Sequence, residues 1–481
     1  MKSRLSILSD SEIEAIHRSS IRILERVGAL VRSPRALKLL VDAGAEVDPA
    51  RKLVKVPSGL VQECLRKHTG SFTLCGRVRK NDLPIIDGRM YTHPTGGCLN
   101  VLDVKAARAR TGTTRDLQDL TRVLDALENI HQSGMLIHVG DAAPQVRDIH
   151  TVAQVLRNST KNCGLTAYGV RNLEYIVRLA AAVVGGIEEL RKMPLIRCGI
   201  SPTSPLELSE DVADQLVTSA TYGLPVDILP CPLAGGTSPA TLAGTLVQQN
   251  AEFLISHVIV QLANPANPVF YAARPFCMDM RTGVSAIGAV ESGMMSAAAV
   301  QLARYYNIPS DVYGLGTNSK ILDEQTAFEK AMVGLLPALA GANFLSGAGG
   351  IDSGVTYSLE QLVIDNEIFH LIFRAVRGID VNSDTLAADL VEKIGPGGHF
   401  LGDEHTRRHY LSEHYMPTLS NRTARTEWEK VGSRDIVSAA REKAERILRE
   451  HSVEPLDRDV DKEFDTILAE ADKELTRSRL A

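Results

Sequence analysis

The stretch Val312-Tyr-Gly-Leu-Gly-Thr-Asn-Ser-Lys320, with Asp323 and Gln325 behind it, puts small and polar residues where a strand gives way to a helix. A junction of this kind can present side chains to a substrate while rigid elements hold them, as the carboxyl ends of barrel strands do. Asn318 and Lys320 offer an amide and a cation for orienting a bound molecule; Asp323, Gln325 and Glu360 suit the bracing of helix starts and loops. Other residues with usable chemistry fall at or just after apolar runs: Tyr168, Tyr271, Arg274, Phe276, Asp352 and Tyr357. Tyr91 and His93 belong to Tyr91-Thr-His-Pro-Thr-Gly-Gly97, whose glycines suit a loop folded close over a mouth. His399 and His405 lie in Gly397-Gly-His-Phe-Leu-Gly-Asp-Glu-His405. The seven cysteines are odd in number and not closely paired, so buried free thiols are expected and no metal site; Cys198 and Cys231 stand at strand ends.

The elements that must position these residues follow from periodicity. Residues 1–110 read as helices near the start and at 34–44, a short strand at 52–56, a third helix to about 66, and strand-like pieces at 71–74, 89–93 and 99–104. This is an N-terminal helical and small antiparallel β cap. From about residue 113 the chain alternates apolar runs with helices such as 212–221, 246–263, 290–305 and 323–339. The runs at 134–139, 164–168, 195–200, 226–229, 269–273, 310–314 and 343–347, with an eighth at 388–394, have the continuous hydrophobicity of parallel strands buried on both faces. Eight strands with intervening helices predict an α/β fold of the (β/α)8 TIM-barrel type over 111–481. No G-x-G-x-x-G follows the first strand, which argues against an open doubly wound sheet. Charged amphipathic helices at 434–449 and 461–475 are expected to serve packing or subunit contact, in a homo-oligomer.

A net charge of -5 and a pI near 6.3 give no basic footprint, which sets nucleic acid aside. The most apolar stretch, 331–345, is too short to span a bilayer and contains Pro337, and the start of the chain lacks a signal peptide's apolar run. No membrane association and a cytoplasmic location are therefore expected.

Several motifs in matching order resemble the trimethylamine methyltransferase family. Val312–Lys320 is similar to its active-site strand. The likeness continues through Pro202-Thr-Ser-Pro-Leu-Glu-Leu-Ser209, Gly235-Gly-Thr-Ser-Pro239, Leu242-Ala-Gly-Thr-Leu246, Asn250-Ala-Glu252, Leu335-Leu-Pro-Ala-Leu-Ala-Gly-Ala-Asn343, Gly347-Ala-Gly349 and Glu360-Gln-Leu-Val-Ile-Asp-Asn366. Founding members carry pyrrolysine at the position matching Gly316. The resemblance therefore implies a non-pyrrolysine member, similar to methyltransferases for quaternary amines such as glycine betaine. It implies transfer of the methyl group to the cobalt(I) of a separate corrinoid protein. The chain has no Asp-x-His-x-x-Gly motif of its own, so cobalamin is expected to come with that partner and not to be bound directly.

In the founders, pyrrolysine is held to make the amine nitrogen fully substituted. A quaternary ammonium arrives in that state and leaves as a neutral tertiary amine, so no general acid is needed. On this reading Gly316 has no side-chain role and leaves room for a larger substrate; the alternative is that it merely permits a tight turn. A permanent cation without N–H donors is commonly held by aromatic faces, at ~1–2 kcal/mol per good contact. With aromatics at only 5% of residues, the candidates are few: Tyr168 and Tyr313 first, then Tyr91, His93, Phe276 and Tyr357. A betaine carboxylate needs a donor, and the Arg274 guanidinium fits, unless it pairs with Asp279 or Glu291. Asp352 would balance the quaternary nitrogen or cap a helix, Asn318 would orient the substrate, and His399 and His405 would line the corrinoid docking face. Three alternatives stand: the same chemistry on a longer betaine such as carnitine or proline betaine, a non-catalytic betaine-binding barrel, and a metal-dependent barrel lyase.

Overall fold

The computed structural model describes residues 4–68 and 70–476; residues 1–3 and 69 of the expected cap and 477–481 of the expected barrel segment lie outside it. Eight parallel strands form the centre: β1 (Tyr91–Pro94), β2 (Ser133–Gly134), β3 (Cys163–Leu165), β4 (Ile196–Ile200), β5 (Val226–Ile228), β6 (Val269–Tyr271), β7 (Asp311–Tyr313) and β8 (Phe344–Ala348). Register runs Cys163↔Ser133, Cys163↔Ile196, Cys198↔Val226 and Val226↔Val269. A bridge Tyr271↔Ser310 joins β6 to β7, followed by Asp311↔Phe344 and Phe344↔Tyr91. The ring closes where the Thr92 carbonyl accepts from the His131 and Gln132 amides and Cys98 bridges Ile137. This is the expected TIM barrel.

Two strand assignments differ from the sequence reading. The piece at 89–93, read as part of the cap, supplies β1, because Tyr91 and Thr92 are buried against β8 and the start of β2. The expected eighth strand at 388–394 is the helix Ala388–Ile394. Its apolar residues Ala388, Leu390, Val391 and Ile394 fit a helical spacing as well as a strand's, and among the described residues no strand pairs with them.

Each strand is followed by a helix: α1 (Thr114–Ala126), α2 (Arg147–Asn158), α3 (Val170–Val184), α4 (Glu210–Thr221), α5 (Leu242–Ala263), α6 (Val290–Tyr305), α7 (Glu324–Ala340) and α8 (Leu359–Arg377). The helix Asp10–Arg26 packs on α5, where Ser20 Oγ donates to the Val247 carbonyl, so this part of the N-terminal segment flanks the barrel. The hairpin Phe72–Leu74/Leu83–Ile85 plugs the amino end of the barrel, with Leu74, Leu83 and Ile85 in one cluster with Tyr91, Phe270 and Phe344. The opposite end is left open. The helices Ile436–Glu450 and Arg458–Leu475 clamp the outside, through Arg441–Glu360 and through His150–Asp472, Arg157–Asp461 and Arg178–Glu470. No described helix is long and apolar enough to cross a membrane.

Candidate functional site

Three strands carry one charge each inside the barrel: Arg197 on β4, Asp227 on β5 and Asp311 on β7, all nearly inaccessible to solvent. Isolated charges cannot be buried without partners, and here they partner one another. The Asp311 carboxylate accepts from Arg197 Nη2 at 2.5 Å and Arg274 Nη2 at 2.7 Å, and lies 3.0 Å from His93 Nε2. Arg197 reaches Asp227 Oδ1 through Nη1 at 3.1 Å. Its guanidinium lies over the rings of Phe270 and Phe344, which meet edge to face, at 4.8 and 4.5 Å from their centroids, a cation–π contact in place of the usual branched aliphatic layer. Burial opposes the charge on Asp311, yet His93, Arg274 and Arg197 hold its carboxyl well below the usual range. Asp227 has a single guanidinium contact and Asp311 nearby. Burial pushes it up to about 7.

Above this layer, at the carboxyl ends of the strands, lies a cavity of about 440 Å³. Arg274 and Asp227 border it, and each keeps unused capacity. Arg274 donates through Nη1 to the Ala273 and Asp311 carbonyls and through Nη2 to Asp311 Oδ1. Among the described residues its Nε–H and the second Nη2–H have no acceptor, so the side-on pair of donors remains available. Asp227 likewise uses only Oδ1 within the described residues. One wall is aromatic: Phe276 meets Tyr313 edge-on at 5.4 Å, and Tyr168, 43% exposed at the rim, bonds His138 Nδ1 at 2.5 Å. The Tyr313 hydroxyl contacts Thr95 Oγ1 at 3.3 Å, and burial pushes both this phenol and that of Tyr168 up to about 12, so each stays neutral.

Of the residues singled out from sequence, His93, Tyr168, Cys231, Arg274, Phe276 and Tyr313 border this one cavity. Arg274 pairs with Asp311, not with Asp279, which takes Arg281, and not with Glu291. The others go elsewhere. Tyr91 donates to the Pro84 carbonyl in the plugged end, and Tyr271 faces outward to Gln249 and Asn250 on α5. Tyr357 is fully buried beneath Gly349, whose φ of +79° and 2.2 Å clearance to the ring would admit no side chain. Asn318 is consumed by loop bracing: it accepts from the Gly288 amide and donates to Ser285 O and Ser353 Oγ. Asp352 sits in the loop after β8, near Lys320 at 3.8 Å, and does not border the cavity. Asp323 caps α7 as expected. His399 and His405 lie in the segment whose Ser412 and Glu413 bond Arg377 and Arg374 at the carboxyl end of α8. Neither histidine borders the cavity.

Gly316 requires the largest revision. It does not border the cavity. A Cβ there would stand 2.4 Å from the Ile287 carbonyl oxygen and 3.1 Å from Tyr313 Cε1. The space a side chain would need is taken up by the end of the hairpin Phe276–Asp279/Val284–Ala286, which the glycine allows to close on β7. Gly316 shapes the site indirectly, by letting this hairpin bring Phe276 against Tyr313.

Arg197, Asp227, Asp311 and His138 escape the sequence reading. A signal for the first three is present: Ile196-Arg-Cys, Val226-Asp-Ile and Ser310-Asp-Val each place one charge in an otherwise apolar buried strand.

Comparison with known proteins bears on this geometry. The sequence profile described as Trimethylamine methyltransferase (MTTB) matches residues 2–476. Trimethylamine methyltransferase MttB of Desulfitobacterium hafniense (strain DSM 10664 / DCB-2) is 35% identical over 470 residues, covering 98% of this chain and 95% of the relative. MttB of Methanosarcina barkeri is 36% identical, covering 98% and 96%. The glycine betaine methyltransferase of D. hafniense (strain Y51) is 31% identical, covering 98% of each chain. Among solved structures, the monomethylamine methyltransferase MtmB of M. barkeri superposes with a TM-score of 0.51 over 95% of this chain and 92% of that one, at 12% identity, a likeness of fold.

Proposed function

Because this chain belongs to the trimethylamine methyltransferase family and is a methyltransferase, we propose that it removes a methyl group from a carboxylate-bearing quaternary amine, glycine betaine first, and passes it to a corrinoid protein. One observation carries the choice of substrate. The cavity sets the free side-on donors of Arg274 and the free oxygen of Asp227 beside an aromatic wall, which matches a zwitterion with a carboxylate at one end and a permanent cation at the other. The 31% identity to a glycine betaine methyltransferase supports the same reading.

In this reading Arg274 holds the carboxylate, its own position fixed by Asp311. Asp227, Tyr313 and Phe276 hold the ammonium. The N–CH3 bond breaks with its electron pair left on nitrogen, giving a neutral tertiary amine. No proton is delivered, and no residue need act as general acid. The plugged amino end and the apolar wall limit water around the methyl group. The corrinoid, bound by its own protein, supplies the nucleophile that accepts the methyl. The mouth fits such an approach, since Gly96 and Gly97 border it without side chains.

A cavity of about 440 Å³ holds on the order of fifteen waters at ~30 Å³ each. That is generous for glycine betaine and supports a second reading, the same chemistry on carnitine or proline betaine. The test is incubation of the purified protein with cob(I)alamin and a panel of betaines and methylamines, measuring the demethylated amine. Formation of dimethylglycine supports the first reading and demethylation of only a longer betaine the second. Absence of product from every quaternary amine sinks both.

A further inference from the structure

Away from the barrel mouth, three metal-ligating side chains converge: Asp384, His405 and His409, with one donor atom of each within 4.8 Å of the others. We propose that they bind a single late first-row divalent cation of the zinc type. The expectation of no metal site overlooks the spacing His405-x-x-x-His409, which is that of two ligands on one helical face. On the helix Glu404–Glu413 this i, i+4 separation puts both imidazoles on one face, with ring centroids 4.3 Å apart. The short helix Ser383–Leu386 brings Asp384 to that face, its Oδ2 standing 3.0 Å from His409 Nε2.

The second observation is an unmet bond. His409 Nε2 is buried yet makes no hydrogen bond among the described residues, although the carboxylate oxygen is within reach in distance. The oxygen lies off the nitrogen's bonding direction. A buried polar atom left in this state is costly, and a cation between nitrogen and oxygen would satisfy both. The remaining contacts already orient the ligands. Arg408 Nη2 holds the other oxygen, Asp384 Oδ1, at 2.6 Å, leaving Oδ2 for the cation, and His405 Nε2 meets the Asp384 carbonyl at 3.0 Å. Outer contacts of this kind commonly fix ligands at metal sites.

The donor set selects the ion. Two imidazoles and one carboxylate favour zinc, cobalt, nickel or copper over magnesium or calcium, which prefer oxygen. Ligand bonds of about 2.0–2.2 Å require the donors to close by on the order of an ångström, within reach of side-chain rotation in partly exposed residues. Three protein ligands leave a fourth position for water. The cation would tie the turn at Asp384 to the helix Glu404–Glu413. The site is separate from the methyl-transfer cavity, which none of the three ligands borders, and its helix bonds the carboxyl end of α8.

The experiment uses the untagged full-length chain, stripped with chelator and titrated with Zn2+ by calorimetry and with Co2+ by visible absorption. One saturable equivalent is expected, weakened at least about tenfold in His409→Ala and in His405→Ala. Both metal-free variants should unfold at the wild-type temperature, and His409→Gln provides a second variant if alanine disturbs the helix. Absence of saturable binding to the wild type overturns the proposal. So does binding that keeps its stoichiometry and affinity in the His405→Ala/His409→Ala double variant.

Discussion

A Cβ at Gly316 would lie 2.4 Å from the carbonyl oxygen of Ile287, so the backbone of the β6–α6 hairpin occupies what would be side-chain space. Any larger residue must displace the hairpin or β7. Overpacking of this kind costs roughly 1–3 kcal/mol. Gly316→Ala should therefore lower the unfolding temperature and raise KM for the betaine by moving Phe276 away from Tyr313. Calorimetric unfolding and steady-state kinetics measure the two effects. A variant unchanged in both would remove the hairpin from the account of the site.

Arg274 serves two partners through two edges of one guanidinium. The edge formed by Nη1 and Nη2 belongs to Asp311. The side chain borders the cavity, and the Nε–H and second Nη2–H of its other edge have no acceptor among the described residues. Arg274→Lys keeps a cation near Asp311 and loses the planar pair. Carboxylated substrates should bind about 10- to 100-fold more weakly, the range expected for a charge-assisted bidentate contact of roughly 1.5–3 kcal/mol. A quaternary amine without a carboxylate, such as choline, should bind as before. Equal losses for the two substrate types would dismiss Arg274 as the carboxylate anchor.

Asp227 gives the site a dependence on pH. Its carboxyl has an ordinary value of 3.8 and is raised to about 7 by burial, so the folded chain holds this proton more tightly than the unfolded chain. The associated stability is full below about pH 4 and is lost as pH rises through about 7. Binding of a cation runs the other way, because the ionised form is the better partner, and affinity should rise over the same interval. Asp227→Asn should flatten both profiles between about pH 4 and 8 and weaken betaine binding about tenfold. Unfolding temperature and Kd measured across that range decide it. An unaltered Kd profile in the variant would assign the dependence to another group.

Legibility in the sequence follows physical scale. Seven of the expected strands are visible because buried parallel strands are continuously apolar. β1 is not, because Tyr91-Thr-His-Pro mixes polar residues into a strand that pairs with β8 only through closure of the ring, a contact more than 250 residues away in the chain. The helix Ala388–Ile394 passes for a strand because seven residues with four apolar positions fit either period. In the site, side chains at strand ends can be found because position alone implicates them, as with Tyr313 and Arg274. The network beneath them cannot, because the partner of each charge sits on a different strand, and only the barrel brings Arg197, Asp227 and Asp311 together.

Behind the strand ends, Lys330 on α7 and Asp365 on α8 form a fully buried pair at 2.8 Å. Lys330 Nζ also donates to the carbonyls of Leu315 and Gly347, and Asp365 accepts from the Gly349 amide, so the pair ties the ends of β7 and β8 to the helices outside them. Burial lowers the lysine pKa and raises that of the aspartate, opposing the charges that each partner restores. Removing one partner strands the other. Lys330→Met should cost roughly 3–5 kcal/mol, read from denaturant unfolding. Adding Asp365→Asn should recover much of this loss, because the amide oxygen still accepts from Gly349 and no uncompensated charge remains. If the double variant were no more stable than Lys330→Met, the cost would lie in the orphaned Leu315 and Gly347 carbonyls, and the lysine would act as a backbone clamp instead of an ion-pair partner.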